Sequence, residues 1–248
     1  MSPDIHLVVV AHPDDQAIGV GITLADAPLV YVAYLTDGAW LDEGRRALGL
    51  MGVTPNRIFE LGGSDQGSSL QMQTLAERLA WLMGKLDVNV LVGHPYEGDH
   101  PDHDAAALCM HAASAIDARA RPGRAASLVE FTSFHAGAQD GWSCGVFLHP
   151  NKAIAGPCPE PRLRLLTAHE RHLKRRMLSC YQRQADAFGP FPIDAELTRA
   201  APRYHFSSAP HEGTLLYEKR DRSMSGRRWR ALARDTLLGL GLDPDEPL

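Results

Sequence analysis

Short apolar runs alternate with longer segments of helical periodicity through the first half of the chain. Runs rich in valine, isoleucine and leucine are typical of strands. They predict strands at Ile5–Ala11, Leu29–Thr36, Arg57–Leu61, Val88–Gly93 and Leu128–Phe134. Leucines at helical spacing predict a helix that starts near Leu70, and an early proline followed by acidic residues predicts a second helix over Pro101–Ala120.

The alternation of strand and helix predicts a parallel sheet. Strands that are joined through helices lie parallel, and nearly continuous apolar strands such as "LVVVA" are typical of strands covered on both faces. The predicted fold class is therefore α/β, with a Rossmann-like, doubly wound and mostly parallel sheet followed by irregular C-terminal loops and helices.

The second half of the chain has a different pattern. Residues 135–161 are rich in glycine and proline, and Thr167 with Glu170 then forms a capping box that predicts a helix. A long loop is predicted from about 189 to 213, ahead of a last amphipathic stretch near Arg227. We expect one domain over 1–248, in which 1–135 form the core and 136–248 supply loops and helices that complete the site.

Composition narrows the class of protein. Apolar residues make up 44% and charged residues 22% of the 248 residues, as in ordinary soluble proteins, and the apolar runs are too short to span a membrane. The N-terminus lacks a secretion signal, so a cytoplasmic location is expected. Four widely spaced cysteines give no disulfide framework, and a net charge of −5 argues against nucleic acid as a partner.

Polar side chains cluster at the ends of two predicted strands. "AHPDD" follows the first strand and contributes His12, Asp14 and Asp15. "GHPYEGDHPDHDA" follows the fourth strand and contributes His94, His100 and His103. Ligands of open α/β sheets bind beyond the carboxyl ends of the strands, so both stretches enter one crevice if the two strands are neighbours.

These groups suit a catalytic metal. Zinc takes three protein ligands from histidine and carboxylate and leaves a fourth position for water, whose pKa it lowers to about 7. A second carboxylate can then act as the base and a further histidine can stabilise the oxyanion. Either motif alone is equally well explained as a helix start or turn, but their joint occurrence favours a metal-dependent hydrolase.

At these residues the chain resembles the PIG-L/LmbE-like family of zinc-dependent N-deacetylases. The family signatures A-H-P-D-D-E and H-P-D-H stand here as "AHPDDQ" and "HPDH", and the resemblance extends to "LTDG" and "KRRMLSCYQRQ". It implies that His12, Asp15 and His103 bind zinc, that Asp14 is the general base and that His100 stabilises the tetrahedral intermediate. It also implies N-acetylated amino sugars and related conjugates as substrates.

Gln16 departs from the family pattern, which has glutamate there. The change is mild if that glutamate only orients its neighbours, and it weakens activity if the glutamate tunes the metal or the base. Four other residues are candidates for contacting substrate or for supporting the site: Asp37, Tyr96, Asp102 and His135. His94 and Tyr96 either touch substrate or pack. Ferrous iron is the alternative to zinc.

Other motifs are better explained by structure. "HERH" at 169–172 is one residue short of a metalloprotease helix, "GGSDQG" misses the serine nucleophile spacing, and "GVG" at 19–21 lacks a full dinucleotide fingerprint. Tyr204 and Phe206 either stack on a sugar or pack within their loop. The predicted function is removal of an acetyl group from an amino sugar derivative; the alternatives are an amidase for a non-sugar amide or thiol conjugate, and a non-catalytic metal-binding protein.

Overall fold

A seven-stranded sheet forms the centre of the molecule, and five neighbouring strands in it run parallel. The computed structural model describes residues 4–37, 40–136, 142–182, 188–220 and 223–248. The strand order is β3-β2-β1-β4-β5-β10-β9, with β10 antiparallel to both of its neighbours. These strands are β1 Ile5–Val10, β2 Leu29–Asp37, β3 Ile58–Ser64, β4 Val90–Gly93, β5 Ser127–Phe131, β9 Arg162–Leu165 and β10 Ala195–Ala200. Two short pairs lie outside this sheet: β6 Phe134–Ala136 with β7 Trp142–Cys144, and β8 Ile154–Ala155 with β11 Arg203–Tyr204.

Helices cover the sheet on both faces. Helices α4 and α5 cover one face, with α8 packed against them, and α1, α2 and α3 lie on the other side, with α6 packed against them. The α-helices of the described ranges are α1 Asp15–Gly19, α2 Gly21–Ala25, α3 Leu41–Gly49, α4 Met72–Leu86, α5 Pro101–Ala120, α6 Ala168–Leu178, α7 Leu216–Lys219 and α8 Gly226–Gly239. None of the helices in these ranges has the length and hydropathy needed to cross a membrane.

The run of consecutive apolar residues in strand β1 is explained by burial on both faces of the sheet. Its side chains alternate between the faces, so that Leu7 and Val9 enter one core while Val8 and Val10 enter the other. All four are fully buried, and each contributes about 1.5–3 kcal/mol by leaving water. The predicted doubly wound, mostly parallel sheet is confirmed, and β1 lies between β2 and β4 as the single-crevice hypothesis requires.

The predicted loop over 189–213 is wrong in its first part, because β10 lies there and joins the central sheet. Its sequence, "AELTRA", lacks an apolar pattern because two of its buried residues are charged. Glu196 lies 3.3 Å from the ammonium of Lys174, and Arg199 donates to Glu130 at 3.0 Å. Buried ion pairs replace apolar side chains in this strand, so hydrophobic periodicity could not reveal it.

Three smaller questions from the sequence are settled by packing. A side chain at Gly19 would place its Cβ 2.1 Å from the Phe131 ring, so the "GVG" glycines permit close packing of helix on sheet. His169 and His172 of "HERH" lie on the exposed side of α6. Tyr204 and Phe206 are buried beside Tyr96 and away from solvent, which excludes them from stacking on a ligand.

Candidate active site

The two histidine motifs meet at the carboxyl edge of the sheet, where β1 and β4 lie side by side. Val9 pairs with Gly93 in the parallel ladder, so the turn after β1 and the loop after β4 leave the sheet together. The turn leads into α1 at Asp15, and the loop leads into α5 at Pro101. A rigid sheet edge therefore holds side chains from both motifs in one place.

The carboxylate of Asp15 lies at the centre of the cluster. Its Oδ2 accepts a hydrogen bond from the backbone N–H of His12 at 2.7 Å and lies 3.1 Å from Nε2 of His94. Its Oδ1 lies 3.3 Å from Nε2 of His103. Burial by itself raises the pKa of Asp15, but His103 and His94 outweigh burial and hold that pKa well below its usual range. Asp15 is therefore ionised.

His103 is oriented from behind by Asp99, which the sequence reasoning missed. Its Nδ1 lies 2.6 Å from Oδ2 of Asp99, whose Oδ1 accepts the backbone N–H of His100 at 2.7 Å. A histidine that donates Nδ1–H to a carboxylate presents its Nε2 lone pair to a metal. Burial lowers the pKa of His103, but Asp99 and Asp15 outweigh burial and raise it to about 10. The two carboxylates thus create a potential that favours a cation at Nε2.

His12 lies between acidic groups on both sides of its ring. Nδ1 is 3.6 Å from Oδ2 of Asp15, and Nε2 is 3.3 Å from Oδ1 of Asp65 and 3.6 Å from Oδ2 of Asp102. Burial lowers the pKa of His12, but Asp102 and the other two carboxylates outweigh burial and raise it well above its ordinary value. This side of the cluster also favours a bound cation.

His100 and His94 occupy different depths. His100 begins α5, with its Nδ1 accepting the backbone N–H of Asp102 at 3.1 Å, and its ring lies 4.9 Å from that of His12. His94 is fully buried and stacks on His103 at 4.1 Å. Burial, and then the His103 charge, lower the pKa of His94. His94 therefore packs behind Asp15, outside the set of described residues that face the cleft.

The donor set fits a divalent metal. Ligand atoms of His12, His100 and His103 lie within 4.8 Å of one another, as do those of Asp15, His94 and His103. Two ligands of a tetrahedral zinc, each about 2.1 Å from it, are separated by roughly 3.4 Å. Oδ2 of Asp15 lies 3.6 Å from Nδ1 of His12, and its other oxygen, Oδ1, lies 3.3 Å from Nε2 of His103, so each contact is near that separation. Imidazole and carboxylate ligands suit both zinc and ferrous iron.

A cleft of about 350 Å³ opens above the cluster. Asp14 lines it, and burial together with the Asp15 charge raises the pKa of Asp14 to about 6. A carboxyl with this pKa is ionised at neutral pH and retains the proton affinity that a general base needs. The described lining residues are His12, Asp14, Asp15, Ile18, Trp40, Asp65, Gln66, His100, His103, Phe134, Trp142, Phe188, Phe191 and Arg220.

Gln16 points away from this cleft. It is fully buried, and its side-chain amide donates to the carbonyl oxygen of Pro13 at 2.7 Å. The same nitrogen lies 3.2 Å from the hydroxyl of Tyr34 and 3.3 Å from that of Tyr181, which itself donates to the Pro13 carbonyl. Gln16 therefore supports the turn that carries Asp14 and does not contact the cluster of ligand atoms.

The remaining sequence candidates lie outside the described lining of the cleft. Asp102 is fully buried and accepts backbone N–H groups of Gln66 and Ser68, so it ties the loop after β3 beneath His12. Tyr96 is buried in the core and donates to a backbone carbonyl of residue 208. His135 lies buried in β6, and Asp37 is exposed at the end of β2; neither is among the described cleft residues.

Sequence reasoning also missed much of the cleft wall. The described lining residues that were not predicted are Ile18, Trp40, Asp65, Gln66, Phe134, Trp142, Phe188, Phe191 and Arg220. They come from loops, short strands and helix ends that are far apart in the chain, and most carry no local motif. Asp99 did carry a signal, because it stands four residues before His103 in "GDHPDH". Gly38 of "LTDG" and the end of "KRRMLSCYQRQ" lie outside the described residues.

Replacing Asp99 with asparagine is expected to weaken metal binding by about 10- to 100-fold. Asparagine can keep the bond to the His100 N–H only by turning its NH2 toward Nδ1 of His103, which shifts the ring proton to the nitrogen that faces Asp15. Competition with a chelator measures the change. Asp117→Asn, at the other end of α5 where Asp117 pairs with Arg121, is the matched control. Equal metal affinity in wild type and Asp99→Asn would contradict this role.

Comparison with known proteins agrees with the geometry. Residues 7–114, from β1 into α5, match the PIG-L family described as GlcNAc-PI de-N-acetylase. This segment contains both histidine motifs. A search of curated protein sequences gives no significant match.

Several solved structures share the fold. A deacetylase triple mutant of the teicoplanin biosynthetic pathway is 15% identical, with 79% of this chain and 97% of that chain covered and a TM-score of 0.55. A conserved protein from Thermus thermophilus is 20% identical, with coverage of 86% and 97% and a TM-score of 0.55. The A40926 pseudoaglycone deacetylase Dbv21 is 14% identical, with coverage of 80% and 97% and a TM-score of 0.50. The resemblance to the PIG-L family is thus confirmed over residues 7–114, and the solved structures confirm the fold.

Proposed function

We propose that this protein is a zinc-dependent deacetylase that hydrolyses the amide of an N-acetylated amino sugar or a related small molecule. The observation that carries the proposal is the position of Asp14 in the same cleft as His12, His100 and His103, whose ligand atoms lie within 4.8 Å of one another. The PIG-L match over 7–114 supports N-deacetylation, and two of the structures that share the fold are deacetylases. The amino sugar rests on the family description alone.

His12, Asp15 and His103 would hold the zinc ion. When bound, zinc supplies Lewis-acid activation of water and of the amide carbonyl. Asp99 keeps the ring of His103 in the tautomer that a ligand needs. Asp15 is positioned by the backbone of His12 and by His94, so it keeps its orientation without help from the metal.

Asp14 is suited to move the proton. A carboxylate oxygen of Asp14 accepts a proton from the attacking water and returns it to the amide nitrogen, which then leaves as the amine. Its carboxylate is not used to cap α1, and its raised pKa of about 6 gives it more proton affinity than an exposed aspartate has. The reaction adds one water across the C–N bond and yields acetate and an amine.

His100 is suited to stabilise the developing oxyanion. Its Nδ1 accepts the backbone N–H of Asp102, so the ring proton of the neutral imidazole lies on Nε2. An N–H directed from Nε2 can donate to the carbonyl oxygen as negative charge develops there. The ring is fixed by the helix start, which reduces the reorganisation needed during the reaction.

Metal analysis combined with an acetate assay tests the proposal. The purified protein is assayed with a panel of N-acetylated amino sugars and with N-acetylated amines that are not sugars. We expect about one metal ion per chain and equal release of acetate and amine. Treatment with a chelator should abolish the release of acetate. Zinc and ferrous iron are then added back separately, and the metal that restores release is the one the enzyme uses.

The alternatives give different results. Bound metal without amine release from any compound would overturn catalysis and favour a metal-binding protein. Release from non-sugar amides alone would overturn the amino sugar as substrate and leave the amidohydrolase. Activity that survives complete metal removal would overturn the metal-dependent mechanism.

A further inference from the structure

One wall of the cleft is aromatic and begins directly at the ligand cluster. The ring of Phe134 lies 5.5 Å from that of His103, and the ring of Trp142 lies 5.5 Å further along, edge to face. Phe191 packs 6.1 Å from Phe134 and supports it. Trp142 is 39% exposed at the mouth of the cleft. An accessible aromatic surface that leads from a reacting centre to solvent suits the flat or apolar face of a ligand.

Arg220 lies over this wall. Its guanidinium carbon is 4.9 Å from the ring centroid of Trp142 and 5.7 Å from that of Phe134. Arg220 directly follows α7 and is exposed, so its planar guanidinium can stack on the rings and still offer N–H groups to a ligand at its edge. Within the described ranges, no carboxylate forms an ion pair with Arg220.

The charges of the cleft are separated. Asp15 and Asp65 lie 3.6 and 3.3 Å from His12 in the ligand cluster, whereas Arg220 lies over the rings of Phe134 and Trp142. No other lysine or arginine is among the described lining residues. Arg220 can therefore attract an anionic group of a ligand to the aromatic wall, away from the ligand cluster.

We propose that the substrate carries a carboxylate or phosphate about one ring's width from its amide, and that Arg220 binds this anion. The inference rests on the proposed function, because it places the amide at Asp14 and His103. The rest of the substrate then lies against Phe134 and Trp142. The anion is attached either to the amine fragment or to the acyl group of the substrate. Compounds that carry the anion at one or the other position distinguish these two arrangements.

A matched set of compounds tests the proposal. The probes are N-acetylglucosamine, which is neutral, N-acetylglucosamine 6-phosphate, with the anion on the amine fragment, and N-succinylglucosamine, with the anion on the acyl group. Binding is measured by quenching of tryptophan fluorescence, since Trp40 and Trp142 line the cleft. Metal-loaded protein with Asp14→Asn is used so that bound compound is not consumed, and KM is measured separately with Asp14 intact.

The expected result is a preference for an anionic compound that depends on Arg220. At least one of the two anionic compounds should bind about 5- to 20-fold more tightly than the neutral sugar. Arg220→Gln should remove this difference without weakening binding of the neutral sugar, and Arg220→Lys should retain part of it. Arg228→Gln, an exposed change on α8, is the matched control for loss of one positive charge and should leave the preference intact.

Two results would overturn the anion site. One is equal binding of all three compounds by the protein that has Arg220. The other is an equal loss of affinity for all three in Arg220→Gln, which would assign Arg220 to packing of the aromatic wall. If no compound is hydrolysed but the anionic preference still depends on Arg220, the deacetylase fails and the anion site stands.

Discussion

Replacing Asp14 with asparagine is expected to lower the turnover number for deacetylation by about 10²- to 10⁴-fold. Asparagine has the same shape but cannot accept a proton at neutral pH. Metal content should remain at the wild-type value, because His12, Asp15 and His103 are unchanged. Acetate release under saturating substrate and metal analysis of the same samples measure the two quantities.

A control separates loss of the base from loss of a negative charge. Asp37 lies at the same edge of the sheet but is exposed and outside the described cleft residues, so Asp37→Asn should change turnover by less than about threefold. Wild-type turnover in Asp14→Asn would refute the assignment of the base. Equal losses in both variants would show that net charge near the cleft, and not proton transfer, determines the rate.

His103→Gln is expected to remove the metal and, with it, activity. The variant loses one of three proposed ligands and breaks the contacts of the ring with Asp15 and Asp99. Because a metal that binds only the folded protein stabilises it, added zinc should raise the Tm of wild type by several degrees and leave the Tm of the variant unchanged. Metal analysis after gel filtration gives an independent measure.

The matched variant is His135→Gln. His135 is also a buried histidine near the cleft, but it is outside the groups that bring ligand atoms together. The His135→Gln variant should have the metal content of wild type, and added zinc should raise its Tm by the same amount. Full metal occupancy in His103→Gln would exclude His103 as a ligand. A variant that is unfolded before zinc is added is recognised by its missing thermal transition, and His103→Asn then provides the test.

The sequence predicted the parts of the molecule that depend on local pattern. Continuous apolar runs revealed β1, β2 and β4, and the capping box at Thr167 marked the start of α6. The two histidine motifs revealed the cluster because each follows a strand, and parallel neighbours bring such positions to one edge. These features rely on residues close together in the chain.

The features that were missed depend on contacts across the fold. Strand β10 was hidden because Glu196 and Arg199 are buried through partners on other elements. The sequence did not reveal the aromatic wall, because Trp142 and Phe191 are far apart in the chain and become neighbours only in the folded protein. Single aromatic residues in loops look alike in sequence whether they face a cleft or a core, as the buried position of Phe206 shows.

The support beneath the HPDD turn is electrically neutral. Gln16 cannot ionise, and burial raises the pKa of the Tyr34 and Tyr181 hydroxyls that surround it. A proton that arrives at Asp14 during turnover therefore meets no group in this support that would release or take up a proton in response. In the proposed mechanism, the residue that exchanges protons is thus separate from the uncharged residues that hold it in place, so the turn should keep one conformation throughout the reaction.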